Sequence, residues 1–165
     1  MSDLVFRPFS WGDIPAITKI YAHYVRETVV TFDLDVPSET AMAEKFGHIS
    51  DLGHPLIMAE RAGKLIGYAY ASTFRPRPAY RFTCEDSIYL APDATGQGVG
   101  ATLLDRLIAD SRVFGFKQMV AVITAGTGAS IKLHEKAGFT LLGTYPQLGF
   151  KFDRWLDIVH MQKAL

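Results

Sequence analysis

The sequence has little cysteine, no excess of charge of either sign and no long hydrophobic run. Its one cysteine, Cys84, excludes internal disulfides and a cysteine-rich metal site, and it is consistent with a reducing compartment. Because 17 acidic residues balance 17 basic ones, there is no general electrostatic reason to expect nucleic acid or an anionic membrane as a partner. No apolar run is long enough to span a bilayer, and the N-terminus lacks the features of a signal peptide. We therefore expect a cytoplasmic protein.

The chain is long and apolar enough to form one domain over residues 1–165, since 48% of its residues are hydrophobic. Apolar patterns and turn residues predict strands at 4–9, 56–60, 65–72, 87–90, 119–124, 139–145 and 155–162. Helices are predicted from Asp13, over 38–49, after the glycine run that ends at Gly100, and over 130–137. This order of elements predicts an α/β fold with one mixed sheet and helices on both faces.

The most informative stretch is a glycine-rich run, Thr95-Gly96-Gln97-Gly98-Val99-Gly100, between the strand 87–90 and an amphipathic helix. Glycines allow a ligand to approach the backbone closely. The unpaired N–H groups at the start of the helix, together with the helix dipole, favour an anion such as a phosphate. The run therefore predicts a phosphate-binding loop.

Two common phosphate-binding motifs fit this loop poorly. The run from Gly96 satisfies a loose dinucleotide fingerprint, but no acidic residue ends the next strand, 119–124, to hold a ribose. A P-loop requires Gly-Lys-Ser/Thr after the turn, whereas the sequence has Gly100-Ala101-Thr102. The loop is therefore expected to bind a phosphate-containing ligand through a different motif.

Three segments together resemble the GNAT superfamily of acetyl-CoA-dependent acyltransferases. The glycine run resembles its pyrophosphate loop, with Thr95 in the place of the usual Arg or Gln. The segment 129–139 resembles a GNAT helix that ends in Gly-Phe, with Thr127 at the usual Asn position and His134 at the usual Tyr position. The runs 71–85 and 149–157 resemble the branch that contains phosphinothricin and methionine sulfoximine N-acetyltransferases. The resemblance covers nearly the whole chain.

This resemblance implies the GNAT fold, a mostly antiparallel mixed sheet of about seven strands whose fourth and fifth strands splay apart. It implies acetyl-CoA as the co-substrate and no metal. The pantetheine arm is expected in the gap between the splayed strands, on the main chain of Ile88, Tyr89 and Leu90, with Thr127 and Ser130 beside it. The resemblance places the pyrophosphate on Gly96, Gln97, Gly98, Val99, Gly100 and Ala101.

The chemistry of acetyl transfer to an amine requires a base, because only an unprotonated amine attacks the thioester. Glu85 matches the glutamate to which the phosphinothricin branch assigns this role, acting through water; the alternative is a solvated surface carboxylate. His134 is the second catalytic candidate, as an acid toward the CoA thiolate or as a base that assists Glu85. A structural role for His134 is an equal alternative.

The acceptor is expected near three clustered arginines, since a guanidinium holds the carboxylate of a free amino acid through two parallel hydrogen bonds. The predicted acceptor-binding residues are Arg75, Pro76, Arg77, Arg81, Glu85, Ser87 and Phe32. Pro76 stiffens the arginine loop. Phe32, in the loop after the first helix, forms either a wall of the acceptor pocket or a plug of the core.

The expected activity is N-acetylation of the α-amino group of a small amino acid analogue, namely methionine sulfoximine, methionine sulfone or phosphinothricin, by direct transfer. Whether its role is resistance to such compounds or metabolism stays open. The family commonly forms homodimers, and the aromatic segment 150–155 is a candidate border of that interface. Two alternatives remain, a CoA-binding regulatory module without turnover and an enzyme that acetylates peptide or protein N-termini. The arginine loop argues against the second, because a peptide substrate favours an open acidic groove.

Overall fold

The computed structural model describes residues 4–165. Its strands are β1 Leu4–Pro8, β2 Leu56–Arg61, β3 Lys64–Thr73, β4 Thr83–Leu90, β5 Gln118–Thr124, β6 Thr140–Lys151 and β7 Arg154–Ala164. Its helices are α1 Ile14–Glu27, α2 Glu39–Asp51, α3 Val99–Phe114 and α4 Gly128–Lys136. Residues 1–3, part of the predicted domain 1–165 and of the N-terminus without signal-peptide features, lie outside the described residues. In the described part of the chain, none of the helices is both long and apolar enough to cross a membrane.

The strands form one sheet in the order β1-β2-β3-β4-β5-β7-β6. Strands β4 and β5 run parallel, and all other neighbouring pairs are antiparallel. The predicted mixed and mostly antiparallel sheet of about seven strands is confirmed. The last two strands run further than predicted, because residues 152 and 153 adopt positive φ angles and close a two-residue hairpin loop between Lys151 and Arg154.

Strand β4 also begins earlier than predicted, at Thr83 rather than at Ser87. Glu85 was expected just before the strand, but it lies inside it, because it pairs with Ser72 of β3 and with Val120 of β5. Main-chain pairing on both edges therefore holds the backbone of this candidate base in a regular strand.

Helices cover both faces of the sheet, as predicted. On one face, rings of β3 and β4 contact α1 and α2: Tyr89 packs edge-on against Tyr21 at 5.2 Å, and Tyr70 against Phe46 at 5.5 Å between ring centroids. On the other face, α3 buries Leu103, Leu104 and Leu107 completely. Side chains of a strand alternate between the two faces, so neighbouring residues of β4 belong to different layers of the core.

The pairing between β4 and β5 ends long before either strand does. The last pair is Glu85 with Val120, whereas β4 continues to Leu90 beside β3 and β5 continues to Thr124 beside β7. The two strands therefore separate in the middle of the sheet and leave an opening between their main chains. This confirms the expected splay of the fourth and fifth strands.

Candidate active site

A cavity of about 640 Å³ occupies the opening between β4 and β5. The loop after α1, the glycine run and α4 complete its walls. The predicted residues that line it are Phe32, Glu85, Ser87, Ile88, Tyr89, Leu90, Gly96, Gly98, Gly100, Ala101, Thr127, Ser130 and His134. The fold thus brings most of the predicted cofactor residues and both candidate catalytic residues to one cavity.

Two predicted members of the phosphate loop do not line the cavity. The side chain of Gln97 accepts a hydrogen bond from Arg61 at 2.6 Å and donates one to the carbonyl of Asp93 at 2.7 Å, so it is turned toward the protein surface. Val99 is buried, with 1% of its surface exposed, and its side chain belongs to the core.

The geometry of the glycine loop fits a phosphate. Gly96 and Gly98 have φ angles of 72° and 79°, which disfavour other residues, and an added Cβ at either position would meet nothing within 4 Å. The space in front of the loop is therefore open. The first main-chain bond of α3 runs from the N–H of Thr102 to the carbonyl of Gly98 at 3.2 Å, so the preceding amides at the start of the helix have no partner within it.

The main chain of β4 faces the opening at alternate residues. Since the N–H of Ala91 bonds to Ile66 of β3, alternation directs the main-chain groups of Tyr89 toward β3 and those of Ile88 and Leu90 toward the opening. The hydroxyl of Tyr24 donates to the carbonyl of Leu90 at 2.7 Å and accepts from its N–H at 3.2 Å. Of the three predicted main-chain contacts, Ile88 is therefore the best placed for a ligand.

Glu85 is half-buried on the face of β4 that α1 and α2 cover. Burial and the negative charge of Asp86 raise the pKa of its carboxyl group, and the positive charges of Arg75 and Lys45 oppose that rise. A carboxylate with a raised pKa is a better proton acceptor at neutral pH than an ordinary surface carboxylate.

Lys45 of α2 is a cation near Glu85 that the sequence did not single out. Its Nζ lies 5.1 Å from the ring centroid of Tyr70 and 5.8 Å from that of Tyr21. Within residues 4–165, neither Lys45 nor Arg75 forms an ion pair with a carboxylate. A lysine on an amphipathic helix normally faces solvent, so only the folded arrangement relates it to Glu85.

The arginine loop contributes one residue to this neighbourhood. The charge of Arg75 acts on both Glu85 and His160 of β7, although Arg75 does not line the cavity. Arg81 packs against the ring of Phe82 at 4.5 Å. Arg81, Pro76 and Arg77 are exposed and lie outside the cavity wall, so the structure does not bring them to the site. Their role in acceptor binding stays a prediction.

Phe32 is both a cavity wall and a packing residue. It lines the cavity, and its ring lies so close to Gly149 of β6 that an added Cβ there would fall 2.1 Å from Phe32 Cε2. The buried Lys151 Nζ donates to the carbonyl of Thr31 at 2.8 Å, and Tyr21 bonds to the Thr31 hydroxyl at 2.7 Å. These contacts hold the loop after α1 against the sheet.

His134 lies in the cavity wall opposite the α1 side and is buried. Its Nε2 lies 2.8 Å from Asp86 Oδ2, and its Nδ1 lies 2.7 Å from the carbonyl oxygen of Ser130. Burial opposes the charge on the ring, but the hydrogen bond and charge of Asp86 and the Ser130 carbonyl outweigh it and raise the pKa of His134. Sequence analysis did not identify Asp86 as part of the site. The only signal was its position as a second carboxylate, next to Glu85, in a largely apolar strand.

Comparisons with known proteins agree with this geometry. Residues 17–139 match the acetyltransferase (GNAT) family. The chain is 50% identical over 154 residues to phosphinothricin N-acetyltransferase of Alcaligenes faecalis, covering 93% of this chain and 78% of that protein. It is 40% identical over 155 residues to L-methionine sulfoximine/L-methionine sulfone acetyltransferase of Salmonella typhimurium, covering 93% and 90%.

A solved structure gives the same fold. The phosphinothricin acetyltransferase of Sinorhizobium meliloti, a GNAT superfamily protein in complex with acetyl-CoA, matches with a TM-score of 0.96 and 45% identity. The match covers 98% of this chain and 88% of that one. The chain therefore belongs to the GNAT family of acetyltransferases, in which its relatives include phosphinothricin and methionine sulfoximine acetyltransferases.

Proposed function

We propose that the protein transfers the acetyl group of acetyl-CoA to the α-amino group of a small amino acid analogue such as phosphinothricin, methionine sulfoximine or methionine sulfone. The observation that carries this proposal is Glu85, a half-buried carboxylate with a raised pKa beside the opening in the sheet. Two cations without carboxylate partners, Arg75 and Lys45, act on it. This combination suits a ligand that carries an amine and an acid group together.

The cavity fits the elongated form of acetyl-CoA. The open glycine loop and the free amides at the start of α3 suit its pyrophosphate. Ile88 offers main-chain groups to the amides of the pantetheine arm in the opening, and Thr127 and Ser130 lie along the same wall. Acetyl-CoA supplies the activated thioester, and the protein's own residues bind it and orient the acceptor.

Glu85 removes the proton of the acceptor amine through water, and the freed amine attacks the thioester carbonyl. A tetrahedral intermediate forms, loses its second amine proton to water and collapses with cleavage of the carbon–sulfur bond; the CoA thiolate leaves and takes up a proton from water. Transfer is direct, because Cys84 is unsuited to carry the acetyl group: its side chain is fully buried, and burial and the charge of Asp86 raise the pKa of its thiol to about 12.

The test is CoA release from acetyl-CoA with a panel of free amino acids, methionine sulfoximine, methionine sulfone, phosphinothricin and a short peptide. Strong turnover of at least one analogue and little turnover of the peptide is expected. Binding of acetyl-CoA without turnover of any acceptor would contradict the proposal and favour a regulatory module. Preference for the peptide would favour an N-terminal acetyltransferase.

The protein is further proposed to form a homodimer through β6 and β7. Large apolar side chains are exposed along these strands: Leu141, Leu142, Tyr145, Leu148, Phe150 and Trp155. A concentration of exposed large apolar side chains on two adjacent strands favours a protein contact. Light scattering after gel filtration is expected to give twice the chain mass, and Leu148→Asp is expected to lower it. Val113→Asp, an exposed apolar position on α3, is the matched control. A monomer at all concentrations would contradict this proposal.

A further inference from the structure

The buried contact between Asp86 and His134 is unlike the other ion pairs of the described residues. Their side chains are only 3% and 6% exposed, whereas Lys64 and Asp93, for example, are 70% and 72% exposed. The second carboxylate oxygen of Asp86, Oδ1, is buried without a hydrogen-bond partner among the described residues. Among the described residues, the contact with the His134 ring is therefore the only hydrogen bond of this carboxylate group.

The hydrogen bonds of the ring determine where its protons lie. The Ser130 carbonyl is only an acceptor, so Nδ1 must donate to it at 2.7 Å. An ionised Asp86 is also only an acceptor, so Nε2 must donate to it at 2.8 Å. With Asp86 ionised, both ring nitrogens carry protons, and neither has a lone pair or a proton to offer to the cavity.

The position of the pair in the sheet gives it a mechanical role. Asp86 is the first residue of β4 after the last β4–β5 pair at Glu85, so it lies where the sheet begins to open. His134 lies on α4, which follows β5 in the chain. The hydrogen bond therefore connects β4 to the element beyond β5, across the start of the opening.

We propose that Asp86 is a positioning residue that holds His134 doubly protonated across the opening, so that His134 fixes the cavity wall and transfers no proton during the reaction. The proposal rests on acetyl transfer as proposed above, in which Glu85 alone then provides proton transfer. The proposal also gives the two adjacent carboxylates different roles: Glu85 is exposed enough to react, and Asp86 binds the His134 ring.

Few other ionisable groups face this pair. Asp86 shares its face of β4 with the buried Cys84, and Glu85 lies on the opposite face. On α4 itself, Lys132, Glu135 and Lys136 are exposed. The charge of Asp86 also raises the pKa of Glu85. Removal of Asp86 is therefore expected to lower the pKa of both Glu85 and His134.

The first test measures the ring directly by ¹⁵N NMR, with the His134 signals assigned by their loss in His134→Asn. In the wild type, both ring nitrogens are expected to show protonated shifts at pH 7.5. In Asp86→Asn, burial still lowers the pKa of the ring, so Nε2 is expected to lose its proton at lower pH than in the wild type. An unprotonated nitrogen in the wild type at pH 7.5 would overturn the proposal, and this measurement needs no acceptor.

The second test is the pH dependence of kcat/KM with an accepted acceptor. Asp86→Asn is expected to move the acidic limb, due to Glu85, to lower pH and to add an ionisation that the wild type lacks. The added ionisation is expected to disappear in the double variant Asp86→Asn/His134→Asn. Glu135→Gln, a neutralised exposed carboxylate beside His134, is the control and is expected to keep the wild-type profile.

The two tests separate failure of this inference from failure of the proposed function. Lack of turnover with every acceptor would contradict the proposed function, and the NMR measurement would still decide the state of His134. Turnover with a wild-type profile that already shows a His134 ionisation, lost in His134→Asn, would overturn the inference and leave acetyl transfer standing.

Discussion

The two faces of β4 place neighbouring carboxylates in different surroundings. Glu85 faces the side of α1 and α2, is half-buried, and lies within the field of Lys45 and Arg75. Asp86 faces the side of α4, is almost completely buried, and bonds to His134. Strand alternation alone separates them, and the comparison shows how one dipeptide places one carboxylate among cations and the other against a histidine.

The largest effect is expected when the Glu85 carboxylate is removed. Glu85→Gln keeps the shape of the side chain but cannot accept a proton, so kcat is expected to fall by about 100-fold or more. Steady-state kinetics at several pH values measures it, with exposed Glu44→Gln on α2 as the control. A Glu85→Gln variant with near-normal rates across pH would show that Glu85 is not the base.

A second variant disturbs Phe32, the proposed wall of the acceptor pocket, without changing any charge. In Gly149→Ala the new Cβ meets the Phe32 ring, so we expect displacement of Phe32, a loss of about 1–3 kcal/mol in the free energy of unfolding, and a raised KM for the acceptor. Denaturant unfolding and kinetics measure the two effects. Gly143→Ala, on the same strand with nothing within 4 Å of the added Cβ, is the matched control and is expected to be neutral.

Removal of Lys45 tests the cations that face Glu85. In Lys45→Gln the KM for the acceptor is expected to rise about tenfold, equivalent to roughly 1.4 kcal/mol of lost binding. Because Lys45 lowers the pKa of Glu85, its loss is expected to move the acidic limb of kcat/KM to higher pH, opposite to Asp86→Asn. Lys19→Gln, exposed on α1, serves as control. An unchanged KM and limb would remove Lys45 from the acceptor site.

The smallest expected effect distinguishes members of the arginine loop. Arg75→Gln is expected to weaken acceptor binding. It is also expected to move the acidic limb of kcat/KM to higher pH, because the charge of Arg75 lowers the pKa of Glu85. Arg77→Gln is expected to change KM less, since Arg77 is exposed and lies outside the cavity wall. Acceptor KM values for the pair measure the difference. Equal losses would restore Arg77 to the acceptor site.

Local patterns predicted the glycine loop and the elements on either side of it well. The strand, glycine loop and helix from Ser87 to Ile108 are contiguous, and their geometry depends on short-range rules for glycine and for helix starts, so the sequence alone locates them. His134 was also placed correctly in the cavity wall, because its helix is short and its motif is compact. The predicted start of β4 was wrong, because pairing with β3 and β5 extends this strand back to Thr83 and so includes Glu85.

Groups that other segments contribute around the cavity were harder to predict, because these segments lie far apart in the chain. Lys45, Asp86 and Tyr24 belong to ordinary amphipathic or strand patterns, and nothing in their neighbours marks them as part of a site. Conversely, the clustered arginines suggested a common role, but the chain brings only Arg75 near Glu85. Proximity in sequence does not determine the direction of side chains in an exposed loop.

The sequence by itself determined the α/β order of elements, the glycine loop and the family, because these depend on periodicity, on glycine conformation and on contiguous motifs. Only the tertiary structure decided where β4 leaves β5, which of two adjacent carboxylates meets the cations and which meets His134, and how Phe32 closes on Gly149. These features depend on strand register and on packing between distant residues. Long-range contacts of this kind leave no local pattern in the chain.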